Sequence, residues 1–170
     1  MKVVIIADAH NNLVRLQRVL DYCQKENIDG LISCGDLASM DTLDFLIANF
    51  SGPIWHVLGN MDRDFLKKEI TKTIQRKNAV IFPDFGELVL EKKKLALVHF
   101  PQKARELFLT KKYAVVFYGH THQPWLEKDA NRYLINPGNV TGDRCPATFA
   151  VWEVEKNHFQ LLPVDKSEVD

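Results

Sequence analysis

The sequence predicts an α/β protein in which two mixed β-sheets pack face to face with helices outside. Two observations carry this reading. From Val3 to Ile74, short β-branched runs alternate with apolar residues at helical spacing, the pattern of parallel strands joined by crossover helices. From Glu87 onward, strand patterns come in pairs around polar turns, as in antiparallel hairpins, and they supply enough strand for a second sheet.

Val3 to Ala7 reads as the first strand. Asn12 is placed to cap a helix whose apolar face is Leu13, Leu16, Val19, Leu20 and Cys23. Leu31 to Cys34 is a second strand, followed by a helix marked by Leu43, Leu46, Ile47 and Phe50. Ile54 to Leu58 is a third, followed by a third helix at four-residue steps, Leu66, Ile70 and Ile74. A βαβαβα series implies a mainly parallel sheet, because a parallel neighbour needs a long crossover. Glu87 to Glu91 and Leu95 to Val98 flank Lys92-Lys93-Lys94 as a hairpin. Pro101, whose fixed φ suits a first helical turn, opens a short helix through Leu107 and Phe108. Ala114 to Tyr118 is again a strand. Trp125 to Glu127 and Tyr133 to Ile135 form a hairpin around Asp129-Ala130-Asn131, and Phe149 to Val154 and Phe159 to Leu162 form another around Lys156-Asn157-His158. With no repeat, low-complexity stretch or linker, residues 1–170 read as one domain.

Composition narrows the function. The 22 basic and 22 acidic side chains cancel, so total charge calls for neither nucleic acid nor an anionic membrane, and any anion must be recognised locally. The longest apolar run, Tyr113 to Tyr118, falls far short of the ~20 residues of a membrane helix. Asp8 and His10 end the apolar opening before a signal-peptide core can form, and Cys23, Cys34 and Cys145 make no Cys-x-x-Cys pair. A cytoplasmic protein with reduced thiols is expected. Gly-x-Gly-x-x-Gly, P-loop and Gly-x-Ser-x-Gly motifs are missing, which removes the usual anchors of dinucleotide binding, P-loop NTP hydrolysis and serine hydrolysis. Lys67-Lys68, Lys92 to Lys94 and Lys111-Lys112 lack interleaved aromatics and read as solvated edges, not a nucleic-acid track.

Five strands run directly into metal-ligand residue types: Ala7-Asp8-Ala9-His10, Cys34-Gly35-Asp36, Leu58-Gly59-Asn60, Val98-His99, and Tyr118-Gly119-His120-Thr121-His122. In open α/β sheets the carboxyl ends of parallel strands converge on one rim, where sites form. Two carboxylates, an amide and four imidazoles would meet there. Glycine before Asp36, Asn60 and His120 fits a chain that turns sharply out of the sheet or lets a ligand approach the backbone closely. Singly, Asp-x-His and Gly-Asp are common turn sequences. As an ordered set at strand ends they point to a metal centre.

The series Asp8-x-His10, Gly35-Asp36, Gly59-Asn60-x-Asp62, His99 and Gly119-His120-x-His122 resembles the calcineurin-like metallophosphoesterase superfamily, in particular its small single-domain bacterial and archaeal phosphodiesterases. Asn136-Pro137-Gly138-Asn139 resembles the Asn-Pro-Gly-Ser near the end of that fold. The resemblance implies a four-layer α/β/β/α sandwich holding two divalent cations. Asp8, His10 and His122 would bind the first, Asn60, His99 and His120 the second, and Asp36 would bridge them; Asp36, Asn60, Asp62 and His99 would serve catalysis. Mixed imidazole and oxygen ligands suit Mn²⁺, with Fe, Zn²⁺ or Ni²⁺ as alternatives, better than Ca²⁺. Two divalent ions set against Asp8, Asp36 and a bridging hydroxide leave a single positive charge, which one phosphodiester oxygen neutralises. A small phosphodiester is therefore the expected substrate. A phosphomonoesterase or nuclease on the same site, and a non-catalytic protein-binding scaffold of the same fold, are the alternatives; the oligomeric state is left open.

Two positions depart from the family pattern. Met61 stands where many relatives carry a histidine that protonates the leaving oxygen, so good leaving groups should be favoured. Phe100 follows His99 where relatives usually have glycine, narrowing one wall. Asn12 is open between a helix cap and support for a ligand, and Arg63 between a phosphate contact and a solvated helix position. His56, in a strand, and His158, in a turn, read as structural.

Overall fold

Both faces of the first strand are buried, which is why β1 (Lys2–Ile6) runs Lys-Val-Val-Ile-Ile instead of alternating with polar residues. The computed structural model describes residues 1–62 and 72–165. Seven strands make the first sheet: β1, β2 (Gly30–Ser33), β3 (Ile54–Val57), β4 (Ile74–Arg76), β5 (Ala79–Phe82), β11 (Thr148–Glu153) and β12 (His158–Pro163), in the order β12-β11-β1-β2-β3-β5-β4. Its centre, β1-β2-β3-β5, is parallel and both edges are antiparallel. The second sheet runs β6-β7-β8-β10-β9, from β6 (Phe85–Leu90), β7 (Lys93–Val98), β8 (Val115–Phe117), β9 (Trp125–Asp129) and β10 (Arg132–Asn136). Here β7, β8 and β10 are parallel.

Three apolar layers separate four layers of structure. Alternate residues of β1 divide between them: Val4 and Ile6 meet α1 (Leu13–Lys25) and α2 (Met40–Asn49) through Leu16, Leu20, Leu43 and Leu46. Val3 and Ile5 face the second sheet through Leu95, Leu97 and Phe117. Ala96, Val98 and Val116 meet α3 (Pro101–Leu109) through Ala104 and Phe108. The expected α/β/β/α sandwich of two packed mixed sheets is the observed fold. No described helix is long and apolar enough to cross a membrane.

Local chemistry explains the helix starts. The Asn12 side chain accepts the Arg15 N–H at 3.1 Å and Ser39 Oγ accepts the Thr42 N–H at 3.2 Å, each meeting one of the unpaired donors of a first turn. Pro101 sits at the start of α3, as expected.

The region after β3 differs from the sequence reading. Leu66, Ile70 and Arg63 fall outside the described residues, but Ile74, assigned to a third helix, begins β4. β4 pairs antiparallel with β5, which itself lies parallel to β3. Strands of three and four residues are too short to show a period, and Ile74 satisfied a helical step by coincidence of spacing. His158 likewise opens β12 instead of lying in the turn.

Between the sheets, Trp152 is fully buried, stacked on Phe159 with ring centroids 5.4 Å apart and edge-on to Phe117 at 5.7 Å. Trp152→Ala opens a cavity between two rigid sheets, and urea titration should give a loss of about 3–5 kcal/mol. A loss below about 1 kcal/mol would show that the layer collapses around the gap.

Candidate metal centre

The parallel strands of both sheets end on one rim, and seven ligand-type side chains meet there. Asp8 follows β1, Asp36 follows β2, Asn60 follows β3, His99 follows β7, and His120 and His122 follow β8; His10 lies two residues past Asp8. Asp8, His10 and His122 offer ligand atoms within 4.8 Å of one another, and so do Asp36, His99 and His120. In the first group His122 Nε2 is 3.6 Å and His10 Nε2 3.9 Å from Asp8 Oδ1. In the second, Asn60 Oδ1 lies 3.0 Å from both His99 Nε2 and His120 Nδ1, and those two nitrogens are 3.2 Å apart. Asp36 Oδ2 stands between the groups, 3.7 Å from His10 Nε2 and 3.3 Å from His99 Nε2.

The local backbone is unusual in a way the residue types explain. Asp8, His10, Asp36, His120 and His122 all adopt left-handed conformations, with φ between 45° and 69°. Asp, Asn and His tolerate this region better than most L residues, and such conformations collect at functional sites. The glycines serve close packing. A Cβ on Gly35, whose φ is 98°, would meet His99 Nδ1 at 2.5 Å, and one on Gly59 would collide with Asp36 Oδ1. The loops after β2 and β3 therefore touch backbone to backbone.

Several of these residues are held from behind. His99 Nδ1 lies 2.8 Å from the Cys34 carbonyl; as that oxygen can only accept, the proton sits on Nδ1 and the Nε2 lone pair is left facing the centre. The His120 N–H donates to Asp8 Oδ2 at 2.9 Å, and the Met61 N–H to Asp36 Oδ1 at 2.8 Å. The Asn136 side-chain amide donates to Gly119 O at 3.0 Å, and that of Asn139 to His122 O at 3.0 Å, so the Asn-Pro-Gly-Asn segment clamps the loop that carries both histidines. Asp62, expected to serve catalysis, is 1% exposed. Its oxygens accept the N–H groups of Asp36 at 2.7 Å and of Ala38 and Gly59 at 2.8 Å. Asn12 caps α1 and donates to Thr141 O at 3.3 Å. His158 is exposed, at the start of β12.

Electrostatics bear on what the rim can hold. Burial, with the Asp36 carboxylate adding to it, pushes Asp8 up to about 7, against an opposing pull from His99. His99 is held above its usual range: burial lowers it, but the Asp36 and Asp8 carboxylates more than offset that. Burial lowers His120 and His122, helped by the neighbouring His99 and His10 imidazoles and by Arg144. His10 Nε2 is buried with no hydrogen-bond partner. Unshared pairs that face one another in a water-poor pocket call for cations among them, and imidazole with carboxylate and amide oxygen is a donor set that suits divalent transition metals.

Sequence reasoning missed Arg144, whose positive charge acts on both His120 and His122. It lies outside every motif and period, so the sequence carries no signal for it. Phe100 forms a wall, its ring centroid 5.0 Å from those of His99 and His120.

A sandwich of this layering with paired His/Asp clusters on its rim defines the class of metal-dependent phosphoesterases. The calcineurin-like phosphoesterase superfamily domain matches residues 1–157, and the chain belongs to that superfamily. It is 29% identical over 169 residues to a phosphodiesterase of Methanocaldococcus jannaschii, spanning 97% of this chain and all of that one. A solved archaeal phosphodiesterase superposes with a TM-score of 0.81 at 26% identity, over 96% of this chain and 99% of the other. Vps29 of Chaetomium thermophilum shares the fold, with a TM-score of 0.69 at 13% identity over 95% of each chain.

Metal binding should depend on pH through Asp8. Its folded value of about 7 lies above the ordinary 3.8, so without metal its contribution to stability falls as pH rises from about 4 to about 7. A cation must displace that proton, so affinity rises through the same window and levels off above it. The gain in Tm on saturation with Mn²⁺ should be larger at pH 8 than at pH 6, because the cations displace the Asp8 proton and that of His99, whose proton affinity is also raised. Equal gains in the unmodified protein would contradict this origin.

Proposed function

We propose that the protein is a two-metal phosphodiesterase acting on a small phosphodiester, with Asp8, His10 and His122 at one cation, Asn60, His99 and His120 at the other, and Asp36 shared. The single observation that carries this reading is the position of Asp36 Oδ2 between the two ligand groups, within 3.7 Å of both His10 Nε2 and His99 Nε2. Two divalent cations held by these residues would supply Lewis-acid charge for phosphate oxygens and would lower the pKa of bound water. Mn²⁺ is the proposed metal, and Fe, Zn²⁺ and Ni²⁺ suit the same donors.

The chain's own groups orient and select. Asp36 contributes charge at the centre of the cluster. Asp62 acts through the backbone it binds, not as a proton donor, since both its oxygens are already accepting. Against the burial that would raise it, His56 and the Gly59 and Ala38 N–H groups hold its carboxyl well below the usual range. Met61, 40% exposed beside Asn60, has no proton to give, so the leaving alcohol must depart as an anion or take its proton from water. Esters of acidic alcohols follow as preferred substrates. Arg144, exposed and with its charge acting on His120 and His122, is a candidate partner for a non-bridging oxygen. Three free cysteines are in keeping with a reducing cytoplasm. The likeness to Vps29 favours a protein-binding scaffold only as far as fold goes, and the complete ligand set weighs against that reading.

With Mn²⁺ the purified protein should hydrolyse bis(p-nitrophenyl) phosphate faster than p-nitrophenyl phosphate, and Asp36→Ala should cost at least about a hundredfold. Faster monoester cleavage would reassign it as a phosphomonoesterase, cleavage of single-stranded nucleic acid as a nuclease, and metal binding without any turnover as a scaffold. Arg144→Ala should raise KM several-fold with kcat little changed. Met61→His, by adding a general acid, should speed alkyl leaving groups at least about tenfold relative to aryl ones; an equal effect on both would remove the missing proton as the cause of selectivity.

A further inference from the structure

One buried polar chain lies next to the ligand cluster without joining it. Ser33 and His56 are register partners on β2 and β3. They share the helix-side parity of Leu31, Ile54 and Leu58, which belong to the apolar layer against the helices. Both are 0% exposed. His56 Nδ1 lies 2.9 Å from Ser33 Oγ, and His56 Nε2 lies 3.4 Å from Asp62 Oδ2.

That oxygen has a particular position. Asp62 Oδ2 accepts the Asp36 N–H at 2.7 Å and the Gly59 N–H at 2.8 Å, so one atom pins together the loop that carries Asp36 and the loop that carries Asn60. Two apolar residues at positions 33 and 56 would fill the layer with no polar groups to desolvate. What the imidazole adds is direction. Its Nε2, buried and without a hydrogen-bond partner of its own, stands 3.4 Å from Oδ2, and Ser33 Oγ, 2.9 Å from Nδ1, sets the orientation of its ring.

We propose that His56 is a positioning residue for the second cation: tethered to Ser33, it orients the Asp62 carboxylate that fixes the spacing of Asp36 and Asn60. The proposal rests on the two-metal reading above, and its test separates the two. Mn²⁺ binding is titrated against a chelating indicator, the second equivalent being the one lost in Asn60→Ala. Amide exchange of the metal-free protein is followed by NMR.

In His56→Ala the second equivalent should weaken by roughly 10- to 100-fold while the first stays within about threefold. Asp36 and Gly59 amides should exchange faster with those of β1 unchanged. His56→Gln, which can accept from Ser33 and donate toward Asp62, should restore most of the affinity. Unaltered metal affinities and exchange in a folded His56→Ala overturn the proposal. So does equal weakening of both equivalents with Gln no better than Ala, the result of packing alone. Should His56→Ala not fold, Ser33→Ala decides: a smaller loss in the same direction supports the role, and unmodified behaviour overturns it. If the unmodified protein binds fewer than two Mn²⁺, the two-metal reading fails, and the exchange rates of Asp36 and Gly59 judge the His56 contact by themselves.

Discussion

Atoms that repel one another are held together at the rim of this fold, where little water reaches them, and the rest of the structure serves that constraint. Asp8 is 0%, His99 1% and Asp36 2% exposed, yet their unshared pairs face one another. Such a cluster costs free energy in the metal-free protein, as the elevated proton affinity of Asp8 records. It persists because His99, Asp8 and Asp36 are fixed by hydrogen bonds to backbone groups and the loop of His120 and His122 is clamped by amides, and the fixing groups belong to both sheets. The Cys34 carbonyl of the first sheet orients His99 of the second, while the His120 N–H reaches back to Asp8.

The supports are mostly backbone groups and amides, which are uncharged at every pH of interest. Asn136 and Asn139 hold the histidine loop, and Gly35 and Gly59 let two loops touch. Five ligand-type residues in the left-handed region store modest strain that the surrounding hydrogen bonds offset. The exception is Asp62, a charged support, stabilised by three N–H donors and by a histidine buried in the next layer. Specificity of this kind comes from rigid elements behind the site, not from the ligand residues themselves.

The walls of the cluster carry chemistry of their own. A methionine beside Asn60 is exposed, an aromatic ring leans on two imidazoles, and the charge of Arg144 acts on His120 and His122. On the proposed reading, these features would bear on which esters fit and which leaving groups depart.

Much of this was legible in the linear chain. β-branched runs ending in Asp8, Asp36, Asn60, His99 and His120 announced both the parallel sheets and the rim, because period and strand polarity are local properties that convert directly into direction. Ile74 was misread, since a three-residue edge strand is too short to express a period and takes its conformation from β5. His56 read simply as structural, because only the register of β2 with β3 sets it beside Ser33 and within reach of Asp62. The sequence by itself determined which residue types arrive at the rim and in what order. Tertiary structure alone decided which atoms face one another, which carboxylate stands between the groups and which is consumed in holding the loops, because those are matters of distance between strands far apart in the chain.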